Sequence, residues 1–96
     1  DAMVVGVCTI QLDLPASESL KDKRSVIKSV IARVHNEFNV SIAEVGDNDR
    51  WRSAVLGVAA VSNEPAYAEG LLARVVQWID ETRLDVTLID YEIELL

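Results

Sequence analysis

Between Ser19 and Phe38 the apolar side chains recur at helical spacing, and on either side the chain alternates with a period of two. Leu20, Ile27, Val30, Ile31, Val34 and Phe38 share one sector of a helical wheel. A helix with a single apolar stripe must bury it against another element, and the flanking strand-like segments supply a sheet. The stretch opens Ser-Leu-Lys-Asp-Lys-Arg, where the Ser19 hydroxyl can cap the first turn and Asp22, three residues on, completes a capping-box pattern.

Met3 to Leu14 reads as a strand with Val4, Gly6, Cys8, Ile10, Leu12 and Leu14 on one face. Val5 and Val7 make the start of its other face apolar too, which suits a central strand. Val40 to Val45 is a shorter, more polar strand, followed by the turn residues Gly46-Asp47-Asn48-Asp49 and by Arg50-Trp51-Arg52. Ala54 to Val61 is again apolar on both faces. A second helix follows, capped by Ser62 or Asn63 and with Pro65 near its start, burying Ala68, Leu71, Leu72, Val75, Val76 and Ile79. Val86 to Leu95 closes the chain as a strand whose apolar phase slips, so a bulge is expected near Leu88.

The order strand, helix, strand, strand, helix, strand predicts an α+β, ferredoxin-like βαββαβ domain over residues 3–96, an antiparallel four-stranded sheet with two helices on one face. The first and third strands belong in the middle. That topology brings three connections to one end, Pro15 to Ser19, Gly46 to Ser53 and Thr82 to Asp85, and sets Lys21, Lys23 and Arg24 near Asp47, Asp49 and Trp51.

With 96 residues, half of them apolar, the chain makes one folded domain. The formal charge is −7, yet Ser19 to Asn36 holds five of the nine basic residues against a single carboxylate, Asp22. Such a balance opposes wide nucleic-acid wrapping and still permits a local phosphate contact. Lone Cys8, inside an apolar run, reads as a buried small hydrophobe and fits a reducing cytoplasm. The apolar opening lacks the basic region of a signal peptide, and no run is long enough to span a membrane.

Lys21, Arg24 and Lys28 fall on one flank of the first helix, extended by His35, and read as a phosphate-contacting ridge. The alternative is a solvated helix face, with Lys23 reaching from the core sector toward Glu44, Asp47 or Asp49. Trp51, between two arginines, can stack on a base, anchor a partner protein, or fold back over the core. Tyr67 and Trp78 share a flank with Leu71 and are expected in core or helix–helix packing. The sheet lacks paired aromatics of the kind used for stacking by RNA-binding sheets. His35 has no neighbouring ligand for a metal, and Ser, Cys and His show no local nucleophile–base arrangement, so neither a cofactor nor an enzymatic activity is expected.

Three blocks, Ser-Leu-Lys-Asp-Lys-Arg at 19–24, Glu-Val-Gly-x-x-Asp-x-Trp at 44–51 and Asn-x-Pro-Ala-Tyr at 63–67, resemble the YlxP-like family of small bacterial proteins, a domain of unknown function. The likeness runs from Met3 to Leu95, and the first block is its most specific part. It implies a ferredoxin-like fold and transfers no chemistry. The family's usual neighbourhood, beside genes for translation initiation factor two and ribosome-binding factor A, implies by association a role at the ribosome. Taken together, the readings describe a non-enzymatic accessory protein with Lys21, Lys23, Arg24, Lys28 and Trp51 as RNA- or partner-binding residues. The partners would be ribosomal RNA or ribosomal proteins. A self-associating interaction module without nucleic-acid contact is the alternative, and a small-ligand enzyme comes third. A homodimer is expected through Val5, Val7 and the small residues of the third strand, or through an edge strand.

Overall fold

In the computed structural model, which describes residues 2–96, the elements follow the order β1 (Val4–Asp13), α1 (Leu20–Glu37), β2 (Ser41–Gly46), β3 (Ser53–Ser62), α2 (Pro65–Thr82) and β4 (Thr87–Leu95). The sheet order is β2-β3-β1-β4 and every pairing is antiparallel. This is the ferredoxin-like α+β arrangement, with the strands that are apolar on both faces in the middle and the more polar ones at the edges.

Alternation decides which face is covered. Cys8, Ile10 and Leu12 of β1, Leu14 just after it, and Ala54, Leu56, Val58 and Ala60 of β3 are buried beneath the helices. α1 rests on β2, while α2 lies across β1, β3 and β4. Ile27, Val30 and Val34 of α1 and all six residues expected of α2 reach this core. Gly6 lets α2 come close: a Cβ there would stand 2.9 Å from Leu72 Cδ1.

α1 begins where the capping pattern places it. Ser19 Oγ accepts from the Asp22 amide at 3.0 Å, and the Asp22 carboxylate reaches back to the amide of Glu18, one residue before the cap. α2 differs from expectation, for its N-cap is Glu64 rather than Ser62 or Asn63, with no side-chain cap bond. Pro65 is the cause: a residue before proline is driven out of the helical region, and Glu64 sits at φ −128°, ψ 123°. Ser62 Oγ instead accepts from the Glu64 amide.

Two bulges adjust the edges. In β4 the register slips between Gln11 and Leu12, leaving Ile89 as the extra residue beside Leu88, as the broken apolar phase foretold. In β2 a slip between Glu44 and Gly46 leaves Val45 unpaired, a feature the sequence pattern did not signal. Tyr67 is also placed otherwise than expected, exposed beneath the Arg74 guanidinium, whereas Trp78 does pack between the helices, edge-on to Phe38 at 6.2 Å.

Candidate functional site

Three connections meet at one end of the molecule, and the backbone ties two of them together. The Leu14 amide donates to the Arg52 carbonyl at 2.8 Å, and Arg52 Nε donates to the Ser17 carbonyl at 2.9 Å. The third, between α2 and β4, is fixed by Arg83, which forms an ion pair of 2.7 Å with Asp85 and donates to Ser29 Oγ of α1. That guanidinium holds the Asp85 carboxyl below its ordinary range, against a smaller opposing effect of burial.

Lys23 is the centre of this end. It occupies the core sector of α1, one turn before Ile27, and is 0% exposed. A lysine so placed must carry its charge to a partner or lose it. Its Nζ stands 2.8 Å from Glu44 Oε2 of β2, and it donates to the Asp47 carbonyl. The contact with Glu44 is one of charge, since that carboxylate oxygen has no aligned donor.

Asp47 takes the left-handed conformation at φ 58°, one of the few that a short polar side chain tolerates without glycine. Its carbonyl also receives the Arg50 amide, and its carboxylate receives the Ser53 hydroxyl at 3.1 Å. The turn between β2 and β3 is thus closed from inside by a helix side chain and across its mouth by Ser53.

Of the residues singled out in the sequence, the structure sends Lys23 inward and leaves Lys21, Arg24 and Lys28 outside. Lys23, expected among the RNA- or partner-binding residues, is buried and turned to Glu44 and Asp47 instead, because the helical repeat places it over the sheet. The other three are exposed along one flank of α1, and among the described residues no carboxylate lies within ion-pairing distance of them. Trp51 does not fold over the core. Arg52 lies against the β1–α1 connection, and Trp51 is left 54% exposed between Arg50 and Arg52, both exposed. A shallow cleft lined by Gln11, Asp13, Asp47, Arg50 and Arg52 opens beside it.

Sequence reasoning missed Arg52 as an organising residue, and it named Asp47 only as a turn residue and a carboxylate partner for Lys23, not as the left-handed residue whose carbonyl receives the ammonium group. For Asp47 a signal existed, an Asp directly after Gly46 in a turn. For Arg52 none did, because its partner is a backbone carbonyl 35 residues away.

Cys8, the lone thiol, is buried in the core, and burial pushes it up to about 11, offset in part by a backbone hydrogen bond from Glu92. A thiol raised this far keeps its proton at neutral pH.

The model of a family described as a protein of unknown function, DUF503, matches residues 5–93. The uncharacterized protein YlxP of Bacillus subtilis (strain 168) is 40% identical over 77 residues, covering 80% of this chain and 84% of that protein. Among solved structures, the de novo designed protein Foldit4 aligns with a TM-score of 0.53 over 99% of this chain and 97% of that one, at 17% identity, a likeness of fold alone. With the family match spanning β1 to β4 and a relative this similar, the chain belongs to the DUF503 family, the YlxP-like small bacterial domain of unknown function.

Proposed function

We propose that this protein is a non-enzymatic accessory factor that contacts RNA of the ribosome or its precursors with the end that carries the β2–β3 turn. The observation that supports this most is Trp51, more than half exposed between two arginines in a turn that buried Lys23 holds closed. An exposed indole on a fixed turn offers a face for an unpaired base, at about 1–3 kcal/mol per stacked base. Lys21, Arg24 and Lys28 on the neighbouring helix supply charge for the phosphates on either side. The rest of the chain is acidic, so contact would be confined to this end.

Co-sedimentation with ribosomal subunits at two salt concentrations tests the reading. Neutralising Lys21, Arg24 and Lys28 together is expected to weaken binding and to lower the salt slope by up to about three units, one per lost phosphate contact. Trp51→Ala is expected to weaken binding with little change in slope, because stacking releases no counterions. Circular dichroism establishes first that both variants are folded. A folded triple variant with wild-type affinity and salt dependence would reduce the ridge to a solvated face and end the proposal.

A further inference from the structure

The sheet face turned away from the helices has a composition of its own. Its middle is apolar and flat: Val5 and Val7 of β1 stand opposite Val61 and Ala59 of β3, and Val45 of β2 lies over Gly57. Val45 is 60% and Val61 64% exposed, so the patch is open to solvent. Along one side of it runs β4, whose Asp90, Glu92 and Glu94 are paired with Gln11, Thr9 and Val7 and so point to the same face. All three carboxylates are exposed, and among the described residues none has an ion-pair partner. Asp13 of β1 adds a fourth exposed carboxylate to this face; the strands carry no Lys or Arg there, and Arg50 and Arg52 border it only at the β2–β3 turn, beside Gln11 and Asp13.

This charge map decides what can lie there. RNA is turned away by the carboxylates. A second copy of the chain fares little better. Strands of ten, six, ten and nine residues present about 550 Å² of face, from strand spacing and rise. Overlap of the whole face would reach about 1,100 Å² in total, no more than the lower bound for a stable pair. It would also bury four carboxylates from each copy, those of β4 either against one another or against β2, which offers Ser41, Ala43 and Val45 there. Leaving β4 outside keeps its charges wet and drops the area well below that bound.

A helix meets both requirements. At about 10 Å across it covers two strands, here β3 and β1, and its flank then overhangs the next strand. Ala59 is small and leaves room for it over β3, while Val45, which fills the space above Gly57, offers it an apolar contact from β2. We propose that the open face receives an amphipathic helix of another protein, apolar where it meets β1 and β3 and rich in Lys or Arg on the flank above β4. The occupant is a cationic protein segment, docked on a different face from the one offered to RNA, so the two proposals stand or fall separately.

The test uses synthetic 18-residue helical peptides, one of Leu and Lys with a single apolar stripe, its Leu/Glu counterpart, and a Lys/Ser peptide without the stripe. Binding to the full chain is followed by fluorescence anisotropy of labelled peptide and by backbone amide chemical shifts. The Leu/Lys peptide is expected to bind and to shift amides of β1, β3 and β4, with the other two weaker by about tenfold or more. Glu92→Gln with Glu94→Gln is expected to weaken it about tenfold at low salt and less at high salt. Val45→Ser with Val61→Ser is expected to weaken it at both; these side chains are exposed, so the fold is retained. Lys21, Arg24 and Lys28 variants should bind the peptide as wild type does. Shifts confined to other surfaces, or affinity unchanged in both sheet-face variants, would overturn the proposal. So would a stable dimer at tens of micromolar that excludes the peptide, since the occupant would then be a second copy.

Discussion

Lys23 holds a position that the helical repeat assigns to the core, and its burial is tolerable only because Glu44 and the Asp47 carbonyl receive the ammonium group. Removing one partner of such a pair strands the other. Lys23→Met is expected to cost about 3 kcal/mol, and Glu44→Leu added to it should recover most of that loss. Urea denaturation of the two single variants and the double variant measures this, and simple additivity would show that the pair is not the anchor. Cys8 gives a second residue-scale expectation. Its thiol is raised in the folded chain, so the unfolded chain loses this proton first as pH climbs past about 8.5. The contribution is intact below that point and fades as pH approaches 11, where the folded thiol ionises. Thermal melts at intervals from pH 8 to 11 should show an extra fall in the wild type that Cys8→Ala lacks. Lys23 was legible in the sequence as a charge in an apolar sector, and its three candidate carboxylates included Glu44, which it uses, and Asp47, which receives it through the backbone carbonyl instead. Trp51 was not legible, because whether it folds back depends on Arg52 and Ser17, which meet only in the folded chain.

At the scale of elements, α1 depends on its first turn. Ser19→Ala removes the acceptor for the Asp22 amide and is expected to lower stability by about 0.5–2 kcal/mol, read as a lower urea midpoint. α2 has the opposite opportunity. Gly70 lies inside the helix, and a Cβ there would meet only the end of the Arg74 side chain at 3.5 Å, an ordinary contact. Gly70→Ala should therefore raise the melting temperature, with a gain of about 0.5–1 kcal/mol. Both helices, the two central strands and the bulge in β4 were readable from periodicity. The start of α2 was readable in principle from Pro65, which outweighs the better capping chemistry of Ser62 and Asn63. The bulge at Val45 was not, since β2 is too short and too evenly mixed for a slip in phase to show.

Across the whole molecule, charge is sorted by place. The basic flank of α1 lies over the β2 edge on the helical side, and the carboxylates of β4 line the far edge on the open side. A chain of net charge −7 can in this way offer a cationic surface and an anionic one that do not compete. The convergence of connections at one end followed from the order of elements alone. What lay beyond the sequence was how that end is tied, through backbone carbonyls of Ser17 and Asp47 that any residue type would have supplied.

Trp51 and Trp78 occupy contrasting surroundings, one in water at the tip and one edge-on to Phe38 between the helices. Their emission should therefore separate by wavelength and by access to a neutral quencher such as acrylamide. Unfolding moves the blue, protected component from Trp78. Engagement of the tip moves the red, accessible component from Trp51. A single spectrum thus tells a variant that has lost its fold from one that has lost its partner, without any label added to the chain.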